Sequence, residues 1–192
     1  MEFLVEKIGM SRTVAVPSVP VTLLKLKDVK VCEMTQNGKA IVAYQSGKKT
    51  NKAIQGQQKK YNLDKHFNAF KTMEVANEEA GDLDTAKLGE AAMLKTSFTS
   101  KGRGYTGVMK RHNFGGGPKT HGSRFHRRVG SIGMAEMPGK VQPGQKMPGH
   151  YGNETVTVKN EVVSYDAENG VIAVRGSIPG ANGATGVVKV VK

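Results

Sequence analysis

The sequence has no tryptophan, one cysteine, and an aromatic content of 6% across its 192 residues. The single cysteine, Cys32, excludes an intramolecular disulfide and a cysteine-based metal site. It lies in the apolar run VKVC, so we expect a buried core residue in a protein of the reducing cytoplasm. The sequence also has no run of about 18 apolar residues and no signal-peptide layout at its start, so no membrane association is expected.

Acidic residues are scarce in one part of the chain. The whole chain has 29 lysine and arginine residues and 16 acidic residues, which gives a net charge of +13. From residue 101 to residue 150 there are ten basic residues and one acid, Glu136, so this quarter of the chain carries +9. It also holds 12 of the 24 glycines and four of the five histidines. Such a charge predicts a polyanionic partner, and the lack of an apolar span favours nucleic acid over a membrane.

Strand patterns lie on both sides of this basic stretch. Alternating or clustered apolar residues predict about six or seven strands, and Glu168-Asn169-Gly170 is a strong hairpin signal. The sequence therefore predicts a mainly β fold, an antiparallel β-barrel made from both ends of the chain. The strand-like segments are PVTLLKLKDVKVCEMT, KAIVAYQSG, AAMLKTSFTS, ETVTVKNEVVSYD, GVIAVRGSIP and GVVKVVK.

The predicted organisation is a barrel domain interrupted by a long loop. The barrel domain comprises residues 1–100 and 154–192, with a partly helical insert at about 56–90. In that insert, Leu63, Phe67 and Phe70 have helical spacing behind a possible Asn62 cap, which predicts a short amphipathic helix. Residues 101–153, the basic arm, form a Gly-rich extension with neither a helix nor a strand period. A loop of this length is expected only where it is functional or folds on a partner.

The basic arm begins with a match to the nucleotide-binding pattern G-x-G-x-x-G at Gly102–Gly107. A dinucleotide loop needs a helix after the third glycine and an acidic residue about 20 positions later. Here three glycines and Pro118 prevent the chain after Gly107 from continuing as a helix, and Arg127 and Arg128 stand where the acid is required. The match is therefore a coincidence of composition.

Catalytic alternatives also find little support. The four histidines of the arm lack metal-ligand spacing and have cationic neighbours that disfavour a divalent cation. No nucleophile elbow occurs, and Glu136 is the arm's one carboxylate for acid–base chemistry. We expect no enzyme activity, no metal and no cofactor; a histidine-dependent nuclease or metal enzyme is the enzymatic alternative, and a metal assay would distinguish it. The histidines are His112, His121, His126 and His150.

Binding of RNA phosphates is the function that this composition favours. Lysine and arginine neutralise phosphates and release counterions, glycine lets the backbone approach RNA closely, and Tyr105, Phe114 and Phe125 can stack on bases. A flexible cationic tail is the alternative, but FHRRVGSIGMAEMPGK is too varied for low complexity. The candidate RNA-binding residues are Lys101, Arg103, Lys110, Arg111, Lys119, Arg124, His126, Arg127, Arg128, Lys140 and Lys146.

Several motifs in a fixed order resemble one family. They are VEKIGMSR, TSKGRGYTGVMKRHNF, THGSRFHRRVGSIG, MPGKVQPGQKMPGHYGNETVTVKN and VRGSIPGANG. From Val5 onward the chain is similar to bacterial large-subunit ribosomal protein three. Only residues from about 55 to 90 have no distinctive motif of that family. The resemblance implies a barrel of the translation-protein type and no catalytic residues. The family usually has Asp and Gly at the positions of Lys95 and Phe98. This difference leaves undecided where the strand predicted in AAMLKTSFTS ends.

The resemblance also implies partners and a location. It implies a structural ribonucleoprotein role in the cytoplasmic ribosome, with no small-molecule substrate. In this role the chain would be a primary binder near the 3′ end of the large-subunit (23S) rRNA. It would nucleate assembly of the subunit beside large-subunit proteins fourteen and nineteen. The arm would extend toward the peptidyl transferase centre with its tip at Met134, Ala135, Glu136 and Met137. Some members carry a methylated glutamine where Glu136 stands, so that modification is not expected. A stand-alone RNA chaperone or translation factor is the alternative.

Overall fold

The computed structural model describes residues 1–14, 16–35, 38–47, 49–75 and 79–191. The chain divides into two compact units, Met1–Thr99 with Thr155–Lys192, and Ser100–Glu154. The helices are α1 (Lys52–Lys60), α2 (Ala86–Gly89) and α3 (Val108–His112). The strands are β1 (Glu2–Arg12), β2 (Pro20–Leu26), β3 (Val29–Thr35), β4 (Lys39–Tyr44), β5 (Ala69–Glu74), β6 (Gly81–Asp82), β7 (Met93–Thr99), β8 (Tyr105–Thr106), β9 (Gly149–His150), β10 (Thr155–Asp166), β11 (Val171–Arg175) and β12 (Thr185–Val191).

Six strands of the first unit close into a barrel in the order β1-β12-β7-β10-β11-β2. Every neighbouring pair is antiparallel, and the first strand pairs with the last, Glu2 opposite Lys189. Closure leaves no unpaired strand edge, and the alternating pattern sends every second side chain inward. The predicted mainly β fold, an antiparallel barrel built from both ends of the chain, is confirmed.

The first half of strand β1 is buried on both faces. Phe3 and Val5 belong to the barrel core, whereas Leu4 belongs to a second cluster with residues of β3 and β4. This follows from the period of two along a strand. The position of β3 and β4 differs from the sequence prediction. They are strands, but they lie outside the barrel in a four-stranded sheet ordered β5-β4-β3-β6.

Cys32 was predicted to be buried, and that prediction is wrong. In β3, Val29 and Val31 point into the second cluster, so Cys32 lies on the opposite face and is half-buried. This partial burial is still enough to raise the pKa of the Cys32 thiol above its usual value.

The helix predicted behind Asn62 is also wrong. Asn62 lies after α1 with φ 52°, and Phe70 lies in β5 opposite Ala43 of β4. The apolar residues that suggested a helical period lie in a loop and in β5 instead, because β5 can pair with β4. The real helix is α1, where the Asn51 side chain accepts a hydrogen bond from the Ile54 amide. Because α1 has few apolar residues, its sequence signals are this N-cap and the basic residues of its last turn, Lys59 and Lys60.

The hairpin predicted at residues 168–170 is confirmed. Strands β10 and β11 pair up to Asp166 and Val171. The Asp166 carboxylate accepts hydrogen bonds from the Asn169 side chain and from the Asn169 and Glu168 amides. These hydrogen bonds lower the pKa of Asp166 below its usual value, and the bond from the Asn169 side chain has the largest effect.

Strand β7 continues to Thr99, so Phe98 lies inside it and is 1% exposed. Its ring occupies the space over Gly186 in β12. A Cβ atom on Gly186 would lie 2.5 Å from two ring atoms, Cε2 and Cζ. The barrel core therefore requires the absence of a side chain at this position.

Gly186→Ala should lower the free energy of unfolding by about 1–3 kcal/mol, because the Phe98 ring must leave its position in a packed core. Urea denaturation measures the change. The matched control is Gly9→Ala in β1, where the nearest atom to an added Cβ is the Asn182 amide nitrogen at 3.8 Å. Equal losses in the two variants would contradict this packing argument.

Candidate nucleic-acid interface

The two ends of the basic arm run side by side. Strands β8 and β9 pair, with Tyr105 opposite His150. Below them the Arg103 amide donates to the Tyr151 carbonyl at 2.8 Å, and the Tyr151 amide donates to the Gly104 carbonyl at 3.1 Å. The prediction of an arm without any helix or strand is therefore wrong in these short stretches, since backbone hydrogen bonds hold its base together.

Gly152 allows the two ends of the basic arm to approach each other closely. Its φ is +77°, and an added Cβ would collide with the Lys101 carbonyl oxygen. Both the left-handed backbone and the lack of space demand glycine here.

Gly152→Ala should weaken this pairing by about 1–3 kcal/mol, the usual cost of a strained backbone. Amide hydrogen exchange at Arg103 and Tyr151 should then accelerate about tenfold or more. Gly115→Ala is the matched control, because Gly115 has no positive φ and no atom lies within 4 Å of an added Cβ. Unchanged exchange in the Gly152 variant would show that the pairing does not depend on this contact.

Helix α3 follows directly after Gly107 and lasts five residues. It ends at Asn113, whose φ is 58°, before the three consecutive glycines. The prediction that no helix follows Gly107 is therefore wrong over these five residues. Its Arg111 guanidinium donates to the Met147 carbonyl at 2.8 Å, and His112 Nε2 lies 3.1 Å from the same oxygen. Arg111 is half-buried and contributes to the arm's own structure.

The middle of the arm folds back on itself through loops. The Gly117 amide donates to the His126 carbonyl at 2.8 Å, and the Arg128 amide donates to the Phe125 carbonyl at 3.2 Å. These bonds fix the backbone that carries Arg127 and Arg128, although the side chains themselves project outward.

The other predicted RNA-binding side chains are exposed. No ion pair joins any of the arm's lysines or arginines to a carboxylate among the described residues. The arm therefore presents its positive charge to the solvent without internal compensation. The exposed candidates are Lys101, Arg103, Lys110, Lys119, Arg124, His126, Arg127, Arg128, Lys140 and Lys146.

Aromatic rings accompany these charges. Tyr105 is 70% exposed and Phe125 is 44% exposed, so both present ring surface to a partner. Phe114 is half-buried against His112. Sequence reasoning missed Tyr151, whose ring lies 5.5 Å from the Arg103 guanidinium carbon. Its position beside His150 at the end of the arm was the available signal.

The tip of the arm differs from its flanks. Residues 131–140 are all exposed, and Met134 and Met137 are 80% and 81% exposed. Between Arg128 and Lys140 the sequence has no basic residue. Two exposed methionines next to Glu136 form a surface suited to packing against an irregular partner rather than to phosphate binding.

The histidines of the arm do not converge. Within the described parts of the chain, no group of three or more His, Cys, Asp or Glu side chains could hold a metal ion. His112 contacts the Met147 carbonyl, and His150 packs edge-to-face on Tyr105 at 6.0 Å. As for membranes, none of the described helices has the length and apolarity to cross a bilayer.

Comparison with known proteins agrees with these features. A family model described as Ribosomal protein L3 matches residues 29–170. Proteins named large ribosomal subunit protein uL3 from Wolinella succinogenes, Campylobacter jejuni and Helicobacter pylori are 68%, 64% and 58% identical to this chain. Each comparison covers 192 residues and the whole of both chains. The resemblance read from the motifs is thereby confirmed, and the chain belongs to the ribosomal protein L3 family.

Proposed function

We propose that this chain, a structural constituent of the large ribosomal subunit, binds the large-subunit (23S) rRNA through the basic arm, residues 101–153. The observation that carries the proposal is a set of exposed, uncompensated basic side chains on a hydrogen-bonded backbone. Each lysine or arginine that meets a phosphate releases condensed counterions, which favours association.

The arm's internal structure supports this role. The pairing of β8 with β9 and the Arg111–Met147 bond order the backbone before binding, so less conformational entropy is lost when RNA is bound. Phosphate contacts would position the arm, whereas the exposed rings of Tyr105 and Phe125 would stack on unpaired bases.

The finer role rests on the family resemblance. In that role the chain binds near the 3′ end of the rRNA, nucleates assembly of the subunit beside large-subunit proteins fourteen and nineteen, and extends the arm toward the peptidyl transferase centre. The neutral-to-acidic tip from Met134 to Met137 supports the last point, because such a tip fills space by packing while the flanks neutralise phosphate.

Sucrose-gradient sedimentation of a cell lysate tests the proposal. We expect the natural chain to migrate quantitatively with large subunits and ribosomes of the bacterial cytoplasm. A stand-alone RNA chaperone or translation factor would leave most of the protein in the free fractions, and that result would overturn the proposed function.

A further inference from the structure

A second basic surface lies outside the arm, around helix α1. From residue 34 to residue 63 the sequence has six lysines and no acidic residue. Lys49, Lys52, Lys59 and Lys65, here called the lysine surface, are all exposed. Lys52 and Lys59 are seven residues apart in α1 and therefore lie on one face of the helix.

Lys52 is not placed for the stability of the helix, whereas Lys59, in the last turn, favours it. The first turn of α1 contains Lys52 and no acidic residue, although the N-terminus of a helix carries a partial positive charge. A cation there costs about 0.3–1 kcal/mol, and Gly56 in the middle of the helix costs a similar amount. Local choices that oppose the fold in this way are typical of functional surfaces.

Two buried amide side chains fix the loops on which Lys49 and Lys65 lie. Asn68, 6% exposed, accepts a hydrogen bond from the Ser46 amide at 2.7 Å and donates to the Lys49 carbonyl at 3.3 Å. Gln58, 8% exposed, donates to the Lys65 carbonyl at 3.2 Å and to the Phe67 carbonyl at 2.7 Å. The backbone that carries Lys49 and Lys65 is therefore ordered before any partner binds.

Lys59 and Lys65 also line a cleft of about 690 Å³. The rest of its lining includes hydrogen-bond donors, namely the Thr50 hydroxyl and the Gln55 and Asn62 amides. It also includes Leu63 and one carboxylate, Asp64. Ammonium, amide and hydroxyl donors along one cleft match the oxygens of a phosphodiester backbone.

Lys60 is different from its neighbour Lys59. Its ammonium lies 3.1 Å from the Glu33 carboxylate and 3.0 Å from the Tyr61 hydroxyl. Hydrogen bonds from Tyr61 and Lys60 lower the pKa of Glu33. By contrast, no carboxylate among the described residues forms an ion pair with a member of the lysine surface.

We propose that the lysine surface is a second binding site for the rRNA backbone, separate in sequence from the arm. That the polyanion is rRNA rests on the proposed function; the site itself rests on the uncompensated lysines around α1 and on the ordered backbone that carries Lys49 and Lys65. An acidic protein segment is the competing partner, and the experiment separates the two.

The test measures the affinity of the full chain for protein-free large-subunit rRNA over a series of salt concentrations. Lys49→Gln/Lys59→Gln/Lys65→Gln should reduce the slope of log affinity against log salt by about 2 to 3, since each neutralised phosphate contributes about 0.7 to 0.9. Lys59→Gln alone should reduce it by about 1. Lys60→Gln, the adjacent matched control, should leave the slope unchanged because the charge of Lys60 is already compensated.

A second control removes the same charge elsewhere. Lys25→Gln/Lys71→Gln/Lys87→Gln changes three exposed lysines outside the lysine surface and should leave the slope near that of the natural chain. Urea denaturation of each variant confirms that it is folded. If the two triple variants behave alike, the proposal is wrong.

The arm variant Arg127→Ala/Arg128→Ala, measured in parallel, separates this proposal from the proposed function. If the arm variant reduces the slope and the lysine triple does not, the lysine surface fails and the proposed function stands. If only the lysine triple reduces it, the lysine surface stands and the phosphate contacts assigned to Arg127 and Arg128 are wrong; an unchanged slope on deletion of residues 101–151 would then overturn the role of the arm. A lysine triple that binds rRNA normally but does not enter subunits would indicate an acidic protein partner and would also overturn the proposal.

Discussion

Replacing residues 101–151 by a short linker should remove most of the salt dependence of rRNA binding. If the natural chain neutralises about six to ten phosphates, its affinity should fall roughly 10³- to 10⁵-fold between about 50 and 200 mM salt. The deletion variant loses the arm's exposed cations and should retain only a shallow slope, of the size that the lysine surface supplies. Filter binding to large-subunit rRNA over that salt range measures both slopes.

The control for this deletion is the stability of the remaining chain. The buried core clusters of the first unit contain no residue from 100–154. The variant should therefore unfold cooperatively in urea, with a midpoint near that of the natural chain measured in parallel. A folded deletion variant with an unchanged salt slope would show that the arm is not the main RNA-binding element.

Arg127 and Arg128 should act on assembly, whereas the tip should act on the finished ribosome. Charge-assisted hydrogen bonds contribute about 1.5–3 kcal/mol each, so Arg127→Ala/Arg128→Ala should weaken rRNA binding about a hundredfold or more and slow subunit assembly. Glu136→Lys or Ala135→Phe should leave assembly nearly intact and change antibiotic sensitivity or peptide-bond formation. Gradient profiles of assembling subunits and drug-susceptibility assays measure the two effects.

The two sets of variants are controls for each other. If both tip variants match the natural chain in both assays, the tip is only a turn and the proposed position near the peptidyl transferase centre loses its support. If the arginine variant assembles at the normal rate, the phosphate contacts assigned to these two residues are wrong.

The barrel could be predicted from alternating or clustered apolar residues, but the pairing order of its strands could not. The run Phe3-Leu4-Val5 is apolar without alternation, which indicates a strand covered on both faces. It does not reveal that Leu4 packs on a second sheet while its neighbours face the barrel. That division depends on contacts between distant strands. The wrong helix behind Asn62 has the same origin, since pairing of β5 with β4 overrode a local helical spacing.

The charge of the candidate interface could be predicted, and its internal structure could not. Lysine and arginine content alone marks the arm, because net charge does not depend on the fold. The bond from Arg111 to the Met147 carbonyl joins positions 36 residues apart, so no local pattern indicates it. The lysine surface was visible as a charge run, but the buried amides of Gln58 and Asn68 that order it became apparent only in the folded chain.

Site-specific cross-linking inside the assembled large subunit tests the central claim most directly. A photo-activatable amino acid at Phe125, which is 44% exposed in the middle of the arm, should cross-link to the large-subunit rRNA in subunits purified from cells. Sequencing of the cross-linked product identifies the partner. We expect cross-links to rRNA nucleotides at this position. Subunits that contain the chain but yield cross-links to protein alone, or none, would contradict rRNA binding by the arm.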